Sequence, residues 1–328
     1  MARTGVVIVT YNSAEVIDRC LESCRDLPVV VVDNASQDAT CQLVARRSVA
    51  GQAVTLIANT NNSGFAAAAN QGISALDTQL VLLLNPDTEL NTSIAALEAS
   101  CLEQGTGLAA GQLTDEKGQT QRGFTLRRFP KASTLAFEVL GINRLVPANP
   151  LNRSYRCLEV DYSKPAEVDQ PPAAFLMFRR EVWQRLGGFD TRFYPLWFED
   201  VDFCKRAHDL GLKIQYVPQV TAMHHGGHSI ASLKWQYREV YWYGSLLKYA
   251  SKHFRPSAFR WVSAAVVLGS LFRTAVGVMT QRSLRPITVY AKIGRLAGRS
   301  LISGRVGELN ELVQQSSRGT AAVKISKE

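Results

Sequence analysis

Four short apolar runs recur within the first 85 residues and constrain the fold more than any other feature of the chain. They are GVVIVT (Gly5 to Thr10), VVVVD (Val29 to Asp33), VTLIAN (Val54 to Asn59) and LVLLLN (Leu80 to Asn85), mostly continuous rather than alternating. A strand that is apolar at successive positions is buried on both faces, as in a parallel sheet covered by helices. The segments between the runs read as helices. Ala14 to Cys24 puts Val16, Ile17, Cys20, Leu21 and Cys24 on one face, and Asp38 to Arg47 and Phe65 to Ser74 follow. This alternation predicts βαβ units, hence an α/β fold with a mostly parallel central sheet flanked by helices.

In such sheets ligands bind beyond the carboxyl ends of the strands. Polar residues gather at those ends: Thr10-Tyr11-Asn12, Asp33-Asn34, Asn59 to Ser63, and Asn85-Pro86-Asp87. Turn making and helix capping account for some of them. They account less well for a carboxylate or amide at nearly every strand end. From Gln121 to Pro172, Pro and Arg become frequent and the chain reads as loops and short strands. Ala173 to Phe178 is again a strand, REVWQRLGG a helix with a glycine stop, Val201 to Leu210 a helix, and KIQYVP a strand that leads to His224, His225 and His228.

The composition, 46% hydrophobic and 20% charged over 328 residues, is that of an ordinary globular chain and excludes disorder and collagen-like structure. Charge is unevenly spread. Residues 231–328 hold 16 basic and 4 acidic residues, whereas 1–230 hold 21 and 24, so the net +9 belongs to the C-terminal third. A nucleic-acid partner would require basic residues on the folded N-terminal part, which is net negative. Trp261 to Met279 is apolar apart from interspersed Ser and Thr and Arg273, and Arg255, Arg260, Arg282 and Arg285 flank it. An interior arginine is expensive in a membrane span. The run therefore reads as an amphipathic or interfacial element against an anionic leaflet, a peripheral membrane contact. The expected organisation is 1–230 as one domain, with halves 1–110 and 111–230, followed by a basic, aromatic helical region over 231–328. Six scattered cysteines without a C-x-x-C pair read as buried thiols in a reducing compartment. The N-terminus enters a strand without a signal-peptide pattern, so a cytoplasmic location is expected.

G-x-G-x-x-G, the Walker loop and G-x-S-x-G are all missing, which argues against dehydrogenase, P-loop ATPase and α/β-hydrolase readings. Two acidic points remain. Asp87 follows a buried strand and a proline, a rigid position suited to a divalent cation that also binds a diphosphate. Glu199 and Asp200 open a helix within WFEDVDFCKR, preceded by Trp197 and Phe198. The helix dipole alone favours carboxylates there. Asp202 and Arg206 are four apart and read as a structural ion pair. HHGGH lacks the further ligands of a structural zinc site.

Taken in order, VVIVTYN, VVDNAS, NSGFAAAANQGI, LLLNPDTEL, GGFDTRFYPLWFEDVDFCKR and HHGGHS resemble the family 2 glycosyltransferases of GT-A fold, in particular their bacterial rhamnosyltransferase-like members. The resemblance covers roughly residues 5–230. It implies a nucleotide-sugar donor, inversion at the anomeric carbon, and a lipid-linked glycan as acceptor, with the enzyme peripheral at the inner face of the plasma membrane. By position, Thr10, Tyr11, Asn12 and Asp33 would hold the nucleobase and ribose, and Asn62, Gly64, Phe65 and Asn70 would lie near the nucleotide and diphosphate. Asn85 takes the first place of the family's D-x-D and Asp87 its last. Asp87 and His224 would bind a divalent metal, Mg²⁺ or Mn²⁺, with His225 as the alternate to His224. Asp200 would be the base within the pair Glu199-Asp200, and Trp197 and Phe198 would face the acceptor. Two departures stand out: Asn85 where the family has an acid, and Ala173-Ala174 where it often has Gly-Ala. A galactofuranosyl or N-acetylhexosaminyl transferase using a UDP-sugar is the alternative within the family. A sugar nucleotidyltransferase would show a Gly-rich basic loop after the first strand, where TYNSAE stands instead. A non-catalytic membrane binder leaves Asp87 and the Glu199-Asp200 pair unexplained.

Overall fold

The computed structural model describes residues 3–227 and 233–307. Its strands are β1 (Thr4–Thr10), β2 (Val29–Asp33), β3 (Val54–Ala58), β4 (Leu80–Leu84), β5 (Thr88–Leu90), β6 (Thr106–Thr114), β7 (Ala166–Glu167), β8 (Phe175–Arg179) and β9 (Lys213–His224). Its helices are α1 (Ile17–Ser23), α2 (Thr40–Val49), α3 (Phe65–Ala75), α4 (Ala95–Leu102), α5 (Ala132–Val139), α6 (Ile142–Leu145), α7 (Pro150–Tyr155), α8 (Arg180–Arg185), α9 (Glu199–Asp209), α10 (Trp235–His253), α11 (Pro256–Gln281) and α12 (Arg285–Ser303). These form two compact units. One lies within Met1–Pro130 and Pro150–Lys234, the other within Lys131–Asn149 and Trp235–Glu328.

The first unit is built on one sheet in the order β3-β2-β1-β4-β8-β6-β9-β5, with β7 on β9. The four apolar runs are its parallel strands, β3-β2-β1-β4. Their side chains alternate between two cores. Val6, Ile8, Val29 and Val31 meet Ile17 and Leu21 on one face. Val7, Val9, Val30 and Val32 meet Ala68, Ala69 and Ile73 on the other. α3 is rich in small residues because it lies close to the sheet: a Cβ on Gly72 would come within 2.6 Å of Val7 Cγ1.

Beyond β4 the sheet turns antiparallel through β8, and two of these pairings set the site. Leu84, at the end of β4, stands opposite Phe175 at the start of β8. Thr88 of β5 stands opposite His224 of β9. Segment 121–172, expected as loops and short strands, also contains α5, α6 and α7. These helices are too short to show an amphipathic period, and β6, with two glycines and two alanines, gives a weak strand signal. At Gly111 in β6 the Val220 carbonyl and the Phe175 ring fill the place of a side chain.

The second unit is helical. α11 packs along α12 and also against α5 and α10. Pro256 and Pro286 occupy first-turn positions of α11 and α12, where a missing N–H costs nothing. Arg273, conspicuous in an apolar run, has a structural duty. Its Nη2 donates to the Glu138 carbonyl at 3.0 Å and its Nε to that of Val139 at 3.4 Å, satisfying carbonyls at the end of α5. Gly269 lets that chain approach, since a Cβ there would collide with the Val139 carbonyl.

Candidate active site

The parallel register brings Thr10 opposite Asp33 at the strand ends. Thr10 Oγ1 donates to Asp33 Oδ1 at 2.8 Å, and Ser36 donates to the same carboxylate through its N–H (2.8 Å) and hydroxyl (2.5 Å). Asp33 is buried, and these bonds tie the two strand ends into one platform. Asn12, at φ 51°, accepts from the Gln37 N–H at 2.7 Å and donates its own N–H to Ser36 Oγ at 2.8 Å. Tyr11 and Asn12 are half-buried at the rim. Asn34, noted in the sequence with Asp33 at the end of β2 but given no role, links this platform to the next loop: its Nδ2 donates to the Gly64 carbonyl and its Oδ1 accepts from Ser63.

Gly64 is at φ 84° and is backed by Tyr194 and Pro195, so that a Cβ would lie 2.9 Å from Tyr194 Cδ2. Its N–H donates to Asn62 Oδ1 at 2.9 Å, and the Phe65 N–H donates to the Pro195 carbonyl at 2.7 Å. The start of α3 is thereby fastened to the loop that precedes α9. Asn70 is occupied within the protein. Its Oδ1 accepts from Trp183 Nε1 and the Phe189 N–H, and its Nδ2 donates to the Phe189 carbonyl. That amide holds the GGFD turn and is not directed at a ligand.

At the other end of this loop Trp197 and Phe198 both adopt positive φ, 75° and 70°. For non-glycine residues that conformation costs on the order of 1–3 kcal/mol each and is concentrated at functional sites. Trp197 is half-buried and Phe198 buried. The turn they make delivers Glu199 and Asp200 to the first turn of α9. Asp202 and Arg206 form the expected ion pair at 2.7 Å, and Arg206 also donates to the Leu186 and Gly188 carbonyls, pinning the helix.

The two acids of the pair have different environments. Glu199 is buried, and its Oε2 has no hydrogen-bond partner among the described residues. Burial, reinforced by the neighbouring Asp200 charge, raises its pKa well above the carboxylate range and favours the neutral acid. Asp200 is partly exposed and accepts from the Ala173 N–H at 3.2 Å and the Val201 N–H at 2.7 Å. Desolvation raises its pKa, while those two N–H groups and the charge of Arg127 oppose the rise. Arg127→Gln is therefore expected to raise the pKa of Asp200, because its ionised form loses a cation that favours it. An unmoved Asp200 titration followed by NMR refutes this coupling.

Asp87 and His224 meet through the β5–β9 pairing. His224 Nε2 lies 3.6 Å from Asp87 Oδ1, and both residues are buried. Gln121 fixes the imidazole. Its Nε2 donates to the His224 carbonyl at 2.6 Å, which leaves its Oε1 to accept from His224 Nδ1–H at 2.9 Å. In the neutral ring this tautomer turns the lone pair of Nε2 toward the Asp87 carboxylate. Phe124 stacks on the ring with centroids 4.8 Å apart and planes 5° from parallel. Two acceptors facing each other across 3.6 Å suit a cation, and one carboxylate oxygen with one imidazole nitrogen is an acceptable partial ligand set for a hard divalent ion. Among the described residues no group of three or more His, Cys, Asp or Glu forms a closed metal cage. Burial lowers the His224 pKa, against the pull of Asp87. His225 points elsewhere, between Glu89 (2.9 Å) and Glu116 (3.0 Å), which raise its pKa. His228 lies outside the described residues.

The acidic points converge through backbone. The Ala173 N–H binds Asp200, and the carbonyl of the next residue, Ala174, accepts from the Asn85 N–H at 3.1 Å. Asp87 is two residues further on. Arg127 stands over the Phe124 ring at 5.9 Å, and Phe124 stacks on His224, so the cation near Asp200 adjoins the Asp87–His224 pair. Gln121, Phe124 and Arg127 were not identified from sequence. They lie in the segment without periodicity, and no motif marks them.

The sequence profile described as Glycosyl transferase family 2 matches residues 5–185, more than half of the chain. The chain belongs to glycosyl transferase family 2. This glycosyltransferase is 27% identical over 247 residues to the N-acetylglucosaminyl-diphospho-decaprenol L-rhamnosyltransferase of Mycobacterium tuberculosis, covering 68% of this chain and 76% of that protein. It is 24% identical over 257 residues to rhamnosyltransferase WbbL of Escherichia coli, covering 73% and 91%. Among solved structures it is similar to a mannosyltransferase from Pyrobaculum calidifontis in complex with GDP-Man and Mn2+, with TM-score 0.52, 18% identity, and coverage of 92% and 87%. That likeness shows the GT-A fold of the glycosyltransferase.

Proposed function

We propose that this glycosyltransferase moves rhamnose, with inversion, from dTDP-rhamnose to a hydroxyl of a polyprenyl-diphosphate-linked saccharide in bacterial cell-surface glycan synthesis, working peripherally at the inner face of the plasma membrane. The observation that carries the chemistry is that Asp200 binds the Ala173 N–H while Asn85, two residues before the Asp87 that faces His224, binds the Ala174 carbonyl, the two alanines lying just before β8. The names of the two relatives support the sugar, and that of the mycobacterial protein supports the acceptor class.

In this reading Asp200 accepts the proton of the attacking hydroxyl. Its two backbone N–H bonds hold the carboxylate in place, and its raised pKa makes it a better base than an ordinary aspartate. Glu199, whose burial favours the neutral acid, is the weaker candidate for accepting the proton. Trp197 and Phe198 shape the acceptor side. The platform of Thr10, Tyr11, Asn12 and Asp33 receives the nucleoside, and the loop of Asn62, Gly64 and Phe65 the diphosphate. Asn70 acts behind it by holding the GGFD turn. Asp87 and His224 would hold Mg²⁺ or Mn²⁺, which when bound supplies positive charge for the departing diphosphate. With Asn85 in place of an acid, the metal site has one firm carboxylate. Gln121 then sets the ligand-ready tautomer of His224. Loss of such a partner typically costs about 10–100-fold in metal affinity. Gln121→Ala is expected to weaken Mn²⁺ binding by that order in a titration without donor, and unchanged affinity counts against the assignment.

The reading is tested by a donor screen with purified protein, divalent metal and lipid extract. Radiolabelled rhamnose is expected in the lipid fraction from dTDP-rhamnose. Turnover with a UDP-sugar alone establishes the galactofuranosyl or N-acetylhexosaminyl alternative. Hydrolysis or transfer of no sugar nucleotide overturns both.

A further inference from the structure

By length and composition α11 could cross a membrane. Its surface has two unlike faces. Phe259, Val262, Val266, Gly269, Ser270 and Gly277 are buried within the helical unit. On the other side Leu268, Leu271, Phe272 and Met279 are 59%, 66%, 54% and 74% exposed, and Trp261 and Val276 also face outward. At 100° per residue Trp261, Leu268, Phe272, Val276 and Met279 fall within about 80° of arc, and at 1.5 Å per residue they form a stripe about 27 Å long. Leu284 and Ile287, at the turn into α12, are also exposed. Soluble surfaces seldom leave so continuous an apolar strip uncovered.

The charges around the stripe indicate what covers it. Arg255 and Arg260 stand at one end, Arg282 and Arg285 at the other, all exposed. From Leu233 to Gly307 there are thirteen Lys and Arg and one acidic side chain, Glu239. A second copy of this surface would bring like charges together. An anionic bilayer instead offers hydrocarbon to the stripe and phosphate groups to the arginines. Trp261, beside Arg260, has the amphipathic side chain favoured at a lipid interface.

We infer that α11 lies in the plane of an anionic leaflet, with the stripe from Trp261 to Met279 immersed and the helix not crossing. The membrane-facing part of the proposed function is thereby given its residues, and the inference rests on that reading. Arg273 decides against crossing. Its guanidinium is committed to the Glu138 and Val139 carbonyls of α5, and Gly269 is filled by the same carbonyl group. Surrounding α11 with lipid would strip α5 of those bonds and leave the cation at mid-bilayer, where charge is strongly disfavoured. The immersed face and the committed face are therefore different sides of one helix.

The test uses the full-length protein and vesicles of phosphatidylcholine, with or without 30% phosphatidylglycerol, in a sedimentation assay without donor. Wild type is expected to sediment with the anionic vesicles and to leave them in alkaline carbonate. Leu268→Asp with Phe272→Asp, both exposed positions, should lower the apparent affinity by about tenfold or more without altering the melting transition. Retained affinity in that variant, equal binding to neutral vesicles, or resistance to carbonate each overturns the inference. So does a wild-type dimer in solution that the variant dissolves. Transfer to a water-soluble acceptor analogue is assayed in parallel. A variant that loses vesicles but keeps transfer supports the inference. Absence of transfer in wild type is a failure of the functional reading and leaves the vesicle result standing.

Discussion

Asp200→Asn is expected to lower turnover by about 10²–10⁴-fold, the range attributable to one general base, with donor binding nearly unchanged. The substitution keeps the shape of the side chain, but the Ala173 N–H binds Oδ2 and the Val201 N–H binds Oδ1, so the single amide oxygen retains only one of the two bonds. Proton acceptance is lost together with one backbone hydrogen bond, and a melting curve separates the second effect from the first. Glu199→Gln is the matched control. Glu199 is buried, which raises its pKa and favours the neutral acid, so a neutral amide is the smaller change in charge there. Single-turnover transfer and a thermal shift with the nucleotide measure the two effects separately. The sign of the pH dependence follows from the raised Asp200 pKa. With Asp200 as the proposed base, activity is expected to require the ionised form and to decline as pH falls through that value, so the acid limb in wild type should sit above the ordinary aspartate value of about 3.9. If Glu199→Gln is the inactive variant and Asp200→Asn turns over normally, the roles within the pair are reversed.

The half of the fold that could be read from sequence is the half whose signal is local. Val29 to Val32 and Leu80 to Leu84 state their burial on both faces in their own composition, and the helices between the runs indicate that the strands run parallel, whereas the order β3-β2-β1-β4 comes from the structure. The other half depends on contacts between distant segments. β5 has three residues and finds its place only against β9, and β6 is made of small residues because Phe175 and Val220 occupy the space beside Gly111. The site divides in the same way. Asp87, Asp200 and His224 stand in motifs. Gln121 is one amide in an aperiodic stretch, and its significance comes from two hydrogen bonds across 103 residues of chain. Asn70 shows the reverse: it lies in a motif, yet the structure has it clamping the turn at Phe189.

The register between β5 and β9 makes the second large effect predictable. Asp87→Asn is expected to reduce turnover by about 10²–10³-fold, the scale of removing one preorganised electrostatic contact to a developing anion, and to weaken Mn²⁺-dependent binding of a nucleoside diphosphate while sparing the nucleoside. The amide keeps the size of the side chain in a buried position, so the pairing of Thr88 with His224 survives. His224→Ala should act in the same direction, because Nε2 faces Asp87 Oδ1 across 3.6 Å and both would serve one ion. Residues that share one ligand are not additive. The double variant should therefore lose little more than Asp87→Asn alone, both in turnover and in Mn²⁺ affinity measured by titration. Multiplying effects would mean that His224 and Asp87 work at separate points. In that case the facing pair is a packing arrangement around Gln121 and Phe124, and the positive charge for the leaving diphosphate has to come from elsewhere in the protein.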